Sequence, residues 1–267
     1  LTIGKSGSGA SIALTLARFL RVRKGRRAMS AAENATFAKE TPMAQGFDNR
    51  SLSLLSELAA NNNRDWFHAH KDDIKARVQE PFADLLEALT NRLSDAAVPL
   101  IGGPKTMFRM QRDVRFSKDK TPYKPSVSGM LTRSGAKAEM GGVLYLVVDP
   151  LGGMMGAGWY MLAPKELAPL RQAIVTGKAD VDALMADLNA RGRCLSDHNS
   201  LTNLPRGFSA HADHPHAHIL KMKSLLMRAD LTPQDWISGD VVDHAQQFAL
   251  DAMPLLRFGR EHLGKVS

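Results

Sequence analysis

Residues 143–161 read VLYLVVDPLGGMMGAGWYM. Val143–Val148 is six apolar side chains in a row, β-branched at three of them, and the run stops at Asp149 and Pro150. Gly152 and Gly153 follow before a second apolar run over Met155–Met161. Short apolar runs bounded by turn residues predict buried strands. The connection between them is too short for a crossover, so the pair is expected to be antiparallel.

Working outward, Met107–Phe116 and Ser126–Leu131 read as two further strands joined by turn-rich segments. Upstream the period changes. Leu52, Leu54, Leu55 and Leu58 fall on helical spacing, Asn61–Asn63 ends that helix, and Asn63 is placed to cap the next, which carries Trp66, Phe67, Ile74 and Val78. Pro81 kinks or restarts the run before Phe82, Leu85, Leu86, Leu89 and Leu93. Downstream, Pro164 opens a helix with Leu167, Leu170 and Ile174, and Val181, Leu184, Met185 and Leu188 form another. A Pro-Arg-Gly-Phe turn at 205–208, a helix from about Pro215, and a C-terminal helix from Pro233 or Asp240 to His262 complete the chain. Helices, then strands, then helices predict an α+β fold: N-terminal helices, a mainly antiparallel four- to five-stranded sheet in the middle, and C-terminal helices packed on it.

The 267 residues, 44% apolar, suffice for a sizeable core, and residues 47–267 read as one globular domain. The formal charge of +8 suggests nucleic acid until it is apportioned. Seven of the 35 bases lie in the first 28 residues, which hold no acid, so the other 28 bases face 27 acids. A global electrostatic argument for nucleic-acid binding therefore fails. Residues 1–46 read as a disordered basic extension and linker, and the part before Met29 as sequence upstream of the true start. Gly4, Lys5 and Ser6 lack the earlier glycine of a phosphate loop. No cofactor is expected. A membrane span is not expected either, since no apolar run approaches the necessary length. The single cysteine, Cys194, excludes an internal disulfide and a thiolate zinc cluster, and fits a reducing, cytoplasmic setting with the lone thiol as core filler.

The local charge is another matter. Lys105–Lys124 holds seven bases and two acids. As a regular strand, Met107–Phe116 would put Arg109, Gln111, Asp113 and Arg115 on one face, and Arg112 among apolar residues on the other. A buried unpaired charge is expensive, so either the strand bulges or ends near Arg112, or an acid meets it. The turn-prone stretch that follows supplies Lys118, Lys120, Tyr123 and Lys124. Arginine forks and mobile lysines suit phosphate, and Tyr123 could stack on a base. Asp113 is the candidate to orient an arginine or act as a base. Arg64, Trp66, Arg171 and Arg206 are candidates for a surrounding wall. The plain alternative is a buried Arg/Asp network that fixes strand geometry in an interaction module. A third reading takes Asp213, His214 and His218, in the tract His211–His218, as ligands of a metal-dependent hydrolase, although Pro215 breaks their helical spacing.

Four blocks in order carry a resemblance: Asn61–Phe67 with Lys71 and Pro81; FRMQRDVRFSKDKTPYK at 108–124; Gly158–Tyr160 with Leu170, Arg171 and Ile174; and Pro205–Phe208 with Asp213–Pro215. From about Phe47 to the C-terminal helix the chain resembles the domain-of-unknown-function 2461 family. The resemblance marks positions rather than chemistry: Asn63, Arg64, Trp66, Arg109, Arg112, Asp113, Arg115, Phe116, Lys118, Lys120, Pro122, Tyr123, Lys124, Arg171, Arg206 and Gly207. His211, His216 and His218 lie outside its pattern. The leading expectation is binding of a phosphorylated small molecule or a nucleic-acid backbone through the Arg/Lys segment.

Overall fold

The structure is a computed structural model that describes residues 46–139 and 141–263. Asp48 opens α1 (Asn49–Ala60) by accepting the Ser51 amide at 2.7 Å, and Leu54, Leu55 and Leu58 are wholly buried on one face of it. Asn63 caps α2 (Arg64–Ala69) through the Trp66 amide, as its position predicts. A short α3 (Lys71–Ile74) passes through a π-helical turn at Lys75–Gln79 into α4 (Glu80–Arg92). Pro81 lies in the first turn of α4 and has no N–H for the preceding turn, and the widened π turn sits where that ladder is interrupted.

Five strands follow: β1 (Met107–Phe108), β2 (Val127–Leu131), β3 (Gly141–Val148), β4 (Met154–Trp159) and β5 (Leu225–Asp230). They lie in the order 1-2-3-4-5, each antiparallel to the next. The hairpin expected over 143–161 is present, with Leu144 opposite Ala157 and Leu146 opposite Met155. Alternation sends Leu144, Leu146, Val148, Met155, Ala157 and Trp159 into the main core, and Tyr145, Val147 and Met154 into a smaller cluster with Phe108, Met130 and Tyr160 on the opposite face.

Helices cover the main-core face. α4 packs on β2, and α10 (Met253–Leu263) packs on β3 and β4. Both contacts are close, and the one at Gly259 leaves no room for a side chain. A Cβ on Gly129 would meet Leu86 Cδ1 at 2.7 Å, and one on Gly259 would meet the Trp159 ring at 2.2 Å. Between β4 and β5 run α5 (Pro164–Thr176), α6 (Lys178–Ala190) and α7 (Ala217–Leu220); after β5 come α8 (Pro233–Ile237) and α9 (Val241–Asp251). Trp236 of α8 is wholly buried between Phe47 and Phe82, and its indole N–H donates to the Gly152 carbonyl at 2.5 Å. Each fully buried large side chain of this kind contributes roughly 1.5–3 kcal/mol through burial.

The α+β class is observed, with three differences in detail. The strand expected over Met107–Phe116 ends at Phe108. The helix expected from about Pro215 is a single turn, and the next residues form β5, whose Leu-Leu-Met-Arg-Ala-Asp sequence contains no β-branched residue to announce a strand. The C-terminal helix is three helices, broken at Ser238–Asp240 and again at Ala252 ahead of Pro254. The basic extension, except Gly46, lies outside the described residues. Among the described residues no helix is long and apolar enough to cross a membrane.

Candidate functional site

After Phe108 the chain leaves the sheet and returns at Val127, so residues 109–126 form a strap beside β1 and β2. Its neck is closed by a short antiparallel bridge, with Gln111 opposite Tyr123. The Arg112 amide donates to the Pro122 carbonyl and the Lys124 amide to the Met110 carbonyl, both at 2.8 Å. Tyr123 anchors the neck. Its ring stacks on Phe67 of α2 at 3.9 Å between centroids, 8° from parallel. Its backbone is gripped by Asn62, which donates to the Tyr123 carbonyl at 2.9 Å and accepts the Tyr123 amide at 3.0 Å. Tyr123 is 6% exposed, so it is a structural anchor and is not presented for stacking on a base.

The conflict at Arg112 is resolved in both of the ways its position allows. The strand has already ended, and an acid meets the guanidinium: Arg112 donates to Asp119 and to Thr121, while the Asp119 carboxylate also accepts the Thr121 amide at 3.0 Å and hydroxyl at 2.8 Å. Hydrogen bonding to Arg112, then to Thr121, holds the Asp119 carboxyl far below its ordinary range. The Arg112 side chain is only 8% exposed, and its buried Nε has no acceptor among the described residues.

Asp113 is engaged with Arg115, which donates from Nε at 3.0 Å and from a terminal nitrogen at 2.7 Å. Those bonds, with one from the Arg115 amide, hold the Asp113 carboxyl down to about 2. A carboxylate paired in this way orients the Arg115 guanidinium. Arg115 lies 5.8 Å over the ring of Phe116, which is 95% exposed at the tip of the strap. Lys120 donates to the Val114 carbonyl at 3.0 Å, and Lys118 is exposed.

Lys124 behaves differently. It is half-buried where the strap rejoins the sheet, and its ammonium has neither a carboxylate partner nor a hydrogen-bond acceptor among the described residues. Burial, reinforced by the charges of Arg109, Arg112 and Lys137, pulls its pKa down to about 8. Lys137, from the β2–β3 connection, donates to the Met107 carbonyl at 2.6 Å and lies 5.9 Å over the Phe108 ring. The two acids of the strap are thus hydrogen-bonded to Arg112 and Arg115; Arg109, whose charge also bears on Asp113, and Lys124 and Lys137 form no ion pair among the described residues.

The side chains expected to form a wall make their hydrogen bonds and ring contacts elsewhere, although Arg64 and Trp66 belong to the helix that packs on Tyr123. Arg171 is 5% exposed in α5, where it donates to the carbonyls of Leu220 at 2.8 Å and Met222 at 3.3 Å, tying α5 to the segment after α7. Arg64 donates to His68 at 3.4 Å, Trp66 stacks on His70 at 4.0 Å, and Arg206 is exposed in the 205–208 turn. No hydrogen bond or ion pair among the described residues joins these arginines to the strap. The histidine tract does not converge either. His216 is buried against Asp182 at 2.7 Å, and the His214 and His218 rings lie 5.8 Å and 6.3 Å from it, beside a shallow cavity of about 440 Å³ lined by Asn203, Ser209, His218 and Lys221. Among the described residues no three His, Cys, Asp or Glu side chains could hold a metal, so Asp213, His214 and His218 are not brought together as ligands. Cys194 is exposed and fills no core.

Sequence reasoning missed Asn62, Phe67 and Lys137. Asn62 reads as part of a helix stop, and its grip spans 61 residues. Lys137 lies outside the basic run, among small turn residues, and only the hairpin between β2 and β3 brings it back to Phe108.

A family model described as conserved hypothetical protein, DUF2461, matches residues 50–258, which is well over half of the chain and includes the whole strap. No curated protein and no solved structure matches it.

Proposed function

The chain belongs to the DUF2461 family of conserved hypothetical proteins, and on that premise we propose that the root of the strap holds a phosphate or carboxylate group, of a small molecule or a nucleic-acid backbone, between Arg109, Lys124 and Lys137, with Arg112 behind them. One observation carries this reading: the Lys124 side chain is half-buried with no acid partner among the described residues, and the positive charges of Arg109, Arg112 and Lys137 all bear on it. Like charges gathered around a partly desolvated cation repel, and an anion among them turns that repulsion into attraction. Arg112 adds a buried Nε with no acceptor among the described residues, and a buried donor left unpaired is a source of binding energy when a ligand supplies the acceptor.

A second reading is favoured by the Asn62 grip and the Arg112–Asp119–Thr121 network, which brace the strap against α2 and against itself. These contacts are structural. They use the acids and leave the root cations over, so the brace and the anion site divide the segment between them.

The test is titration of the full chain with inorganic phosphate, a nucleoside monophosphate and a single-stranded oligonucleotide, followed by thermal shift. A ligand at a hundred times its Kd adds about 2.7 kcal/mol of stability. Arg109→Gln with Lys137→Gln should weaken binding at least tenfold while the unliganded melt stays put. Equal binding by wild type and double variant ends the proposal. A steep salt dependence assigns the anion to a nucleic-acid backbone, and a shallow one assigns it to a compact ligand.

A further inference from the structure

We propose that the tip of the strap binds single-stranded nucleic acid, with a base stacked on the Phe116 ring and the flanking phosphates held by Arg115, Lys118 and Lys120. The inference goes beyond the anion site at the root and does not need it.

Phe116 is 95% exposed. Among the described residues the other large apolar side chains left in solvent are Ile101, Leu151 and Met161, so Phe116 is the aromatic one and the most exposed of them. The turn that carries it is braced. Arg115 and Phe116 are its two middle residues, and the Ser117 amide closes it by donating to the Val114 carbonyl at 3.3 Å. Lys120 Nζ donates to that same carbonyl at 3.0 Å. Asp113 clamps the first middle residue, accepting the Arg115 amide at 3.2 Å as well as its side chain. Farther back, the Arg112–Asp119–Thr121 network joins the two limbs of the strap. A ring presented to water from a braced turn is preorganised for a flat partner.

The surroundings select the partner. Residues 112–120 hold four bases and two acids, and both acids are already paired. Asp113 takes two of the five N–H donors of the Arg115 side chain and leaves three, while the guanidinium lies 5.8 Å from the centre of the Phe116 ring. Lys120 keeps two of its three donors. Lys118 is exposed and makes no ion pair or hydrogen bond among the described residues. An open aromatic ring among cations matches a base with a phosphate on either side, and such stacking is sequence-tolerant because every base has a π face. A duplex keeps its base faces stacked on one another, so a single strand fits and a duplex does not. An anionic membrane shares the charge but not the shape. Anchoring at its surface buries a broad apolar face, and the neighbours of Phe116 in the turn are Arg115 and Ser117. Tyr123, whose ring is buried on Phe67, leaves the stacking task to Phe116.

The full chain is titrated with a short fluorescein-labelled oligo(dT), with its duplex with oligo(dA), and with an abasic strand of equal length, and anisotropy reports binding. The single strand should bind about fivefold or more tightly than either of the others. Phe116→Ala and Phe116→Leu should each weaken single-strand binding by about fivefold or more, and Phe116→Tyr, which keeps a ring, should recover most of that affinity. Replacing a side chain this exposed leaves the fold intact, which an unchanged melt checks. Salt separates the two kinds of contact: Lys118→Gln should lower the slope of log Kd against log salt by about 0.7, and Phe116→Ala should leave the slope alone. No binding of oligo(dT), equal affinity for the duplex, or wild-type affinity in Phe116→Ala or Phe116→Leu overturns the inference. So does Phe116-dependent binding to phosphatidylserine vesicles without binding to oligo(dT), which gives the tip to a membrane. The root is read separately by Arg109→Gln with Lys137→Gln. Binding lost in that variant and kept in Phe116→Ala leaves the anion site and removes the stacking tip, whereas the opposite pattern keeps the tip and removes the root.

Discussion

The Asn62 side-chain amide pairs with the backbone of Tyr123 as a neighbouring strand would, donating to its carbonyl at 2.9 Å and accepting its amide at 3.0 Å. One side chain from the α1–α2 turn thus satisfies both polar groups of a residue whose ring is buried, and it does so where the strap must be anchored for Lys124 to be held.

Asn62→Ala should therefore destabilise the protein by about 1–3 kcal/mol, because two backbone groups at a buried residue lose their partners together. Urea unfolding measures the loss. Hydrogen exchange places it: the Tyr123 amide should lose protection well beyond the fall in global stability. A Tyr123 amide that stays as protected as the rest of the sheet would show that the grip is dispensable.

Acid should loosen the strap before it unfolds the sheet. Asp113 and Asp119 are both held below the ordinary carboxylate range, chiefly by Arg115 and Arg112 respectively. A carboxyl whose folded pKa is depressed stabilises the fold fully above its unfolded value, near 4, and loses that contribution as pH falls toward the folded value. The melting temperature should decline between about pH 4 and 2. Asp119→Asn should show a lower melt at pH 6 and a shallower decline below it, since the Arg112 pairing is already gone.

How much of this was legible depends on whether the governing contact is local. The β3–β4 hairpin, the Asn63 cap and the leucine faces of α1 and α4 follow from spacings of two to four residues, and the structure has them. Arg112 was visible as a conflict, because a charge on an apolar face has no local remedy. The remedy, Asp119, lies seven residues away across a turn that no periodicity describes. The α+β class survived the misjudged strand at 109–116, since the two ends of the strap still enter the sheet side by side. What could not be read was the partner of each arginine: Arg171 turns to the carbonyls of Leu220 and Met222 and Arg64 to His68, contacts that no local spacing announces.

Arg171 illustrates the difference. Its guanidinium is buried without a carboxylate partner among the described residues and serves two carbonyls, and burial lowers its pKa. Arg171→Met should cost roughly 1.5–3 kcal/mol, the scale of hydrogen bonds from a charged donor, and leave phosphate affinity unchanged. Loss of phosphate binding in a variant that still melts cooperatively would return Arg171 to the site.

Lys124 makes the opposite demand on pH. Its pKa in the folded chain is about 8, below the ordinary lysine value, so between about pH 8 and 10.5 the unfolded chain binds the extra proton. Stability then rises with pH across that window, whereas below it both states are charged and the penalty of the crowded cation is fully present. Tyrosines also titrate in this range, and burial pushes Tyr145 up to about 12, so the informative quantity is a difference. The melting temperature of wild type relative to Lys124→Met should climb from pH 7 to 10. Saturating inorganic phosphate should flatten that climb by stabilising the charged amine. A difference that is level with pH would mean that Lys124 is solvated like any surface lysine, and the cluster at the root of the strap would then have nothing to offer an anion.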